Sequence, residues 1–374
     1  MNMTKQKALS RFNVVGSFLR PDELKEARAK HSKGQLTADE LRTIEDKWII
    51  DLLKRQEQAG LKTATDGEYR RHFWHHDFFW GLNGVEHNYL DAGTDFSGTE
   101  ARVDTARIVG KISGEGHPFI DDFKFVLKNV SEGIEPKQTI PAPAQFIQEA
   151  LRPGNAAYTR EIYGTIEELV SDVASAYRTV IKELYEAGAR TIQLDDCTWG
   201  RLAGGKGYDH EYTDVEVEDL KELYLDVNNR VLENHPEEVT FFTHICRGNF
   251  KSTYFASGAY TTVADTVFAR EKVDGFFLEY DSERAGGFEP LAEIPAGKEV
   301  VLGLVTSKTG ELESKEEIIA RIQEASQYVP LENLYLSPQC GFSSTEDGNV
   351  LTEEAQWNKI QLIREIADKV WQEV

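Results

Sequence analysis

The sequence predicts an α/β protein, a single TIM (β/α)8 barrel spanning residues 1–374, with an insertion over the barrel mouth at residues 69–137. Three observations predict it. Eight short apolar runs recur along the chain, and each ends in polar or chemically active residue types. The runs are nearly continuous in Val, Ile, Leu and Phe, as strands buried on both faces require. Stretches with helical periodicity separate most of them, which is the β/α alternation of a barrel.

The eight runs are 12–18, 62–68, 138–144, 189–196, 239–247, 273–281, 299–307 and 334–342. Helices are expected at 37–59, 165–187, 214–234, 315–328 and 352–374. The second of these places Ile166, Leu169, Val170, Val173, Tyr177, Val180, Ile181 and Leu184 on one face, and Gly188 follows as a C-terminal cap. The interval between the second and third runs is too long for a plain crossover. It holds an aromatic stretch, a Gly-rich stretch near 91–98, and alternating segments such as 102–112. These predict a small antiparallel element. The first eleven residues are expected as a loose tail.

Composition narrows the function. Apolar residues make up 40% and charged residues 28%, as in ordinary globular proteins. The net charge of −22 repels nucleic acid and anionic membranes, so neither is expected as a partner. No run of apolar residues is long enough to span a bilayer, and the polar start lacks the apolar core of a signal peptide. Three cysteines in 374 residues do not make a disulfide framework, so a reducing, cytoplasmic setting is expected.

Two of those cysteines end strand-like runs. His244 and Cys246 are one residue apart, so on a strand both side chains point the same way. Glu279 ends the sixth run and Cys340 lies in the eighth. In a barrel these ends converge on one mouth. His, Cys, Glu and Cys are donors that zinc accepts, and two thiolates argue against magnesium or calcium. Taken singly, each residue reads as well as a buried core side chain. The convergence of four favours a metal site.

These motifs, together with Pro338-Gln339-Cys340-Gly341, resemble the catalytic C-terminal half of cobalamin-independent methionine synthase. The resemblance runs from about residue 12 to the last helix and is less clear over 69–137. The long enzymes carry a second, N-terminal barrel, so the chain is more similar to the short single-barrel members. The resemblance implies Zn²⁺ held by His244, Cys246, Glu279 and Cys340, with homocysteine as methyl acceptor and a methyl-folate, 5-methyltetrahydrofolate with one or more glutamates, as donor. Zinc would turn a thiol of pKa roughly 8.5 into a thiolate at neutral pH. It also implies that Glu68 and Asp195 hold the amino group of homocysteine and that Ser17 receives its carboxylate, with Gly16 allowing close backbone approach. Strand-end acids also serve as helix caps, and Ser17 also fits a simple turn.

The donor side is less regular. Arg20, Arg70 and Arg71 are expected near the mouth, where they suit an anionic donor, although a surface ion pair is the better reading of Arg71. Trp74, Trp80 and Trp199 offer stacking faces for a flat ring, and the run 70–80 suits a packed lid equally well. Lys308 stands where the long enzymes have a histidine thought to manage a proton. Asp195-Asp196-Cys197 stands where they usually read Asp-Glu-Pro, and 140–143 lacks a clear match to their pterin contacts. A tertiary amine leaves poorly unless protonated, so a catalytic Lys308 would need a lowered pKa or help from a carboxylic acid. Three alternatives therefore stay open. They are a methyl-corrinoid or other small methyl donor, a non-catalytic zinc- or thiol-binding barrel, and a metal-free enzyme resembling uroporphyrinogen decarboxylase.

Overall fold

The computed structural model describes residues 10–93, 95–205 and 217–371. The expected tail lies outside the described residues except for Ser10 and Arg11. The start of the expected helix at 214–234 and the end of that at 352–374 also lie outside them.

In chain order the elements begin with α1 (Asp22–Ser32), α2 (Ala38–Gln58), β1 (Thr63–Ala64), α3 (His76–Gly81) and β2 (Asn83–Tyr89). There follow β3 (Asp95–Phe96), β4 (Thr99–Glu100), β5 (Asp104–Ser113), α4 (Phe119–Asn129), β6 (Glu135–Pro141), α5 (Pro143–Leu151) and α6 (Ala156–Ile162). Next come α7 (Ile166–Glu186), β7 (Thr191–Asp195), α8 (Cys197–Ala203), α9 (Val217–Val231), β8 (Thr240–Ile245), α10 (Val267–Arg270) and β9 (Gly275–Glu279). The chain closes with β10 (Glu299–Val305), α11 (Lys315–Ala325), β11 (Leu334–Pro338) and α12 (Glu353–Trp371).

Seven strands form one curled parallel sheet in the order β1-β6-β7-β8-β9-β10-β11. Parallel pairing aligns the strands' C-terminal ends. Asp195 is level with His244 and Gly303 with Glu279, so side chains just past those ends share one rim. Val15, Phe242, Phe277, Val301 and Tyr335 pack as one apolar cluster, with the Phe242 and Phe277 rings edge to face at 5.5 Å. A larger core fills the space between sheet and helices.

The expected first strand, 12–18, differs from the prediction. It makes an isolated parallel bridge, Phe12 to Leu336, rather than an eighth ladder. Asn13 N donates to Leu336 O at 2.9 Å on the β11 side. Toward β1 a side chain replaces the ladder, with Thr65 Oγ1 donating to Gly16 O at 2.6 Å. Phe18 N then donates to Gly67 O at 3.1 Å. The second run is shorter than expected because Gly67 and Glu68 turn left-handed, with φ of +69° and +60°.

The helices follow their sequence signals. Thr37 and Glu40 form a capping box at α2. Thr165 caps α7, whose apolar stripe from Leu169 to Leu184 is buried, and Gly188 ends it at φ +111°. Ile166, expected on that stripe, is exposed in the first turn. Between β1 and β6, β2 pairs antiparallel with β5, and β3 with β4. No helix among the described residues is long and apolar enough to cross a membrane.

Candidate metal centre

His244, at the end of β8, is buried, and among the described residues neither of its ring nitrogens has a hydrogen-bond partner. Buried polar atoms are normally satisfied, so two orphaned nitrogens on one ring need a reason. Cys246 and Cys340, also buried, supply it: their sulfurs and a His244 nitrogen lie within 4.8 Å of one another. Two thiols and an imidazole converging in a buried wall suit a soft or borderline ion.

The backbone around these ligands is held tightly. Glu279 Oε2 accepts from Arg247 N at 2.9 Å, immediately after Cys246. The Arg247 guanidinium donates to Gly258 O and Glu279 O and lies 4.2 Å from the Tyr260 ring centre. On the other side, Gly341 O accepts from Asn249 Nδ2 at 2.7 Å and Ser307 Oγ at 2.9 Å. A Cβ on Gly341 would stand 2.0 Å from Ser17 Oγ, so glycine there lets the Cys340 turn close on Ser17.

The structure brings three of the four expected ligands together. Glu279 lies outside the group, with its second oxygen 3.2 Å from the Arg284 guanidinium. Lys308 is not part of the cavity wall either. Its Nζ donates to Gly248 O and Asn249 Oδ1, both at 3.1 Å.

The ligands open on a cavity of about 1120 Å³, counting its mouth. Ser17, Glu68, Asp195 and Cys197 share the wall with His244, Cys246 and Cys340. Aromatic rings from Phe73, Trp74, Phe96, Phe250 and Phe255 form the facing side. Glu68 Oε1 accepts from Thr139 Oγ1 at 3.1 Å and sits 3.4 Å from Arg71, while its buried Oε2 has no hydrogen-bond partner among the described residues. Burial pushes the Glu68 carboxyl up to about 7, with Arg71 opposing and Asp195 and Asp66 adding to the rise. Burial also raises Asp195 to about 7, against the hydrogen bond from Gln193 Nε2 at 2.7 Å. Of the two adjacent acids after β7, Asp196 is the helix cap: its Oδ1 accepts from Thr198 N at 2.9 Å. Asp195 is left facing the cavity.

Sequence reasoning missed Lys137, whose Nζ donates to Gln193 Oε1 at 2.8 Å beneath these acids. Burial lowers its pKa to about 7, opposed by Asp195 and Glu68. A lysine inside an otherwise buried strand was the available signal. Sequence reasoning also missed His75 and His76 as cavity residues. Their ring centres lie 3.9 Å apart with the planes tilted by 32°, and His76 Nε2 stands 3.5 Å from Glu149 Oε1.

None of Arg20, Arg70 and Arg71 lines the cavity, and Arg71 makes the ion pair expected of it, buried rather than at the surface. Arg20 is spent on the backbone oxygens of Glu68, Arg71, Ser343 and Thr345. Arg70 pairs with Asp46 and Asp122, and Arg71 with Glu68. Arg102, Arg152 and Arg201 line the cavity instead. Trp80 donates to Thr105 O and Trp199 is fully buried, so of the three tryptophans only Trp74 faces the cavity.

These features define a class: a parallel α/β protein with a thiolate-rich group, able to hold a metal, at its strand ends. Comparison with known proteins agrees. Residues 156–368 match the family model described as cobalamin-independent synthase, catalytic domain. YxjH of Bacillus subtilis, an uncharacterised protein, is 42% identical over 98% of this chain and 96% of its own length. A methionine synthase of Saccharolobus solfataricus is 26% identical over 88% of this chain and 86% of its own length. A Listeria monocytogenes structure, described as a candidate vitamin-B12-independent methionine synthase, superposes with a TM-score of 0.75 at 35% identity, covering 98% of this chain and all of that one. The chain belongs to the cobalamin-independent methionine synthase family and matches its catalytic domain.

Proposed function

We propose that this protein methylates homocysteine to methionine in the cytoplasm, using zinc and a methyl-folate donor, 5-methyltetrahydrofolate with one or more glutamates. One observation carries the reading: the unpartnered His244 ring beside Cys246 and Cys340, in the wall that also presents Glu68, Asp195 and Ser17. Zinc held by His244, Cys246 and Cys340 would supply a nucleophilic thiolate at neutral pH. Glu279, where it stands, holds the turn after Cys246 through Arg247 N, and it would complete the set proposed from sequence on moving toward the other three.

The chain's own residues then orient the substrate. The free Glu68 Oε2 and the Asp195 carboxylate receive the ammonium group. A cationic partner lowers both carboxyl pKa values and so releases protons on binding. Ser17 Oγ, 3.2 Å from Ser343 N, faces the substrate carboxylate. The rings of Phe73, Trp74, Phe96, Phe250 and Phe255 exclude water and give a flat donor a stacking face. The segment 69–137, which contributes several of these rings, acts as a cover over the strand ends. Arg102, already paired with Asp104 and Glu346, and Arg201 line the side where the donor's carboxylates would lie. Lys308 acts through Asn249 and Gly248, positioning the turn that carries the metal ligands.

The test is methionine formation by zinc-loaded protein, with mono- and triglutamyl methyltetrahydrofolate compared. Turnover is expected with at least one donor, and Cys340→Ser is expected to lose zinc and turnover together. Homocysteine binding without turnover on either folate would overturn the donor assignment. It would favour the methyl-corrinoid alternative, which needs no protonated amine leaving group.

A further inference from the structure

We propose that Cys197 is a further ligand of the same metal ion, supplying a third sulfur that the substrate thiol displaces. The inference rests on the reading of His244, Cys246 and Cys340 as a metal centre. All three cysteines of the chain meet in one cavity wall. Cys197 Sγ stands 3.1 Å from Cys246 Sγ, beside the His244–Cys246–Cys340 group rather than inside it. To join the other ligands its side chain would have to turn about χ1.

Three backbone features fix that thiol. Asp196 N donates to His244 O at 2.8 Å, which ties the start of α8 to the metal-bearing strand. Asp196 caps α8, so Cys197 is its first helical residue. Gly200, one turn on, lies so close to Cys246 that an added Cβ would stand 1.9 Å from the Cys246 carbonyl oxygen. Helix and strand end are thus locked with their sulfurs side by side.

Tetrahedral zinc needs four donors, and His244, Cys246 and Cys340 provide three. Glu279 is already bonded to Arg247 N and Arg284. Cys197 is the remaining soft donor and has no such commitment beyond its sulfur neighbour. The exchange is balanced. The bond from the metal to Cys197 sulfur breaks, a bond to the substrate sulfur forms, and the proton of the substrate thiol passes to Cys197. The charge of the ligand set is unchanged, and no oxidant or reductant is required.

The experiment is X-ray absorption at the zinc edge on full-length, zinc-loaded protein under a phosphine reductant. Wild type, Cys197→Ser and Cys197→Ala are compared with and without homocysteine. Wild type is expected to show three sulfur neighbours and both variants two, with all three proteins at three once homocysteine is added. Chelator competition should show the variants losing more zinc affinity than the ~10- to 100-fold lost with a mere hydrogen-bonding neighbour of a ligand. Two sulfurs in substrate-free wild type, equal to the variants, would overturn the assignment while leaving the metal centre intact. Protein that binds no zinc would overturn the metal-centre reading and this inference together.

Discussion

Gly200 and Cys246 are in backbone contact: a methyl group at position 200 would stand 1.9 Å from the Cys246 carbonyl oxygen. Helix α8 and the end of β8 therefore cannot keep their spacing with any larger residue. Gly200→Ala is expected to lower stability by about 1–3 kcal/mol, as overpacking does. It should also weaken zinc binding although position 200 is no ligand. Thermal unfolding and chelator competition check both, and an unchanged zinc affinity would mean that the helix yields without moving the ligands.

Asp195→Asn is expected to keep its zinc and lose homocysteine affinity. A hydrogen bond to a charged group contributes about 1.5–3 kcal/mol, or roughly 10- to 150-fold in affinity. Calorimetric titration at fixed zinc content measures this. Wild-type affinity in the variant would remove Asp195 from the substrate site.

Glu68 links stability to pH. Its folded pKa, about 7, is above its ordinary 4.5, so between these values the folded state holds a proton that the unfolded state has lost. Its contribution is fully present below pH 4.5 and is lost as pH rises through 7. Lys137 has the opposite sign: its folded pKa of about 7 is below 10.5, so its contribution is present above 10.5 and lost as pH falls through 7. The Glu68→Gln variant, free of metal, should lose stability less steeply between pH 5 and 7, by about 1.4 kcal/mol per pH unit for one proton. Denaturant titrations across that range decide it, and parallel profiles for the two proteins would show that Glu68 does not titrate there.

Lys308→Met separates positioning from proton transfer. If Lys308 only holds Gly248 and Asn249, kcat falls while the pH dependence of kcat keeps its shape. Loss of one limb of that profile would show instead that the amine handles a proton.

Much of this was legible in the chain. The seven sheet strands, the capped helices and the His244–Cys246–Cys340 convergence all follow from apolar periodicity and from residue types at strand ends. Other features were not legible because they depend on which partner wins. Glu279 and Asp195 look equivalent as strand-end acids. Only the fold gives Arg247 N and Arg284 to one and leaves the other facing the cavity. Arg20 looked like an anion ligand until four backbone oxygens converged on it. The first segment reads as an ordinary strand, and its apolar pattern does not reveal that Thr65 Oγ1 replaces backbone pairing toward β1.

That seam has a consequence for how the protein comes of age. Ser17 takes part in the contact through its hydroxyl, which accepts from Ser343 N, 326 residues later in the chain. The contact that completes the substrate wall therefore waits until the chain has been made through residue 343, and it closes a very long loop. A segment held by one bridge, the backbone bonds of Ser17 and Phe18 and a few side chains, with no full ladder, is also a natural first place to open. Maturation and early loss of function should thus share one gate, with amide exchange around 12–18 outrunning that of the seven-stranded sheet.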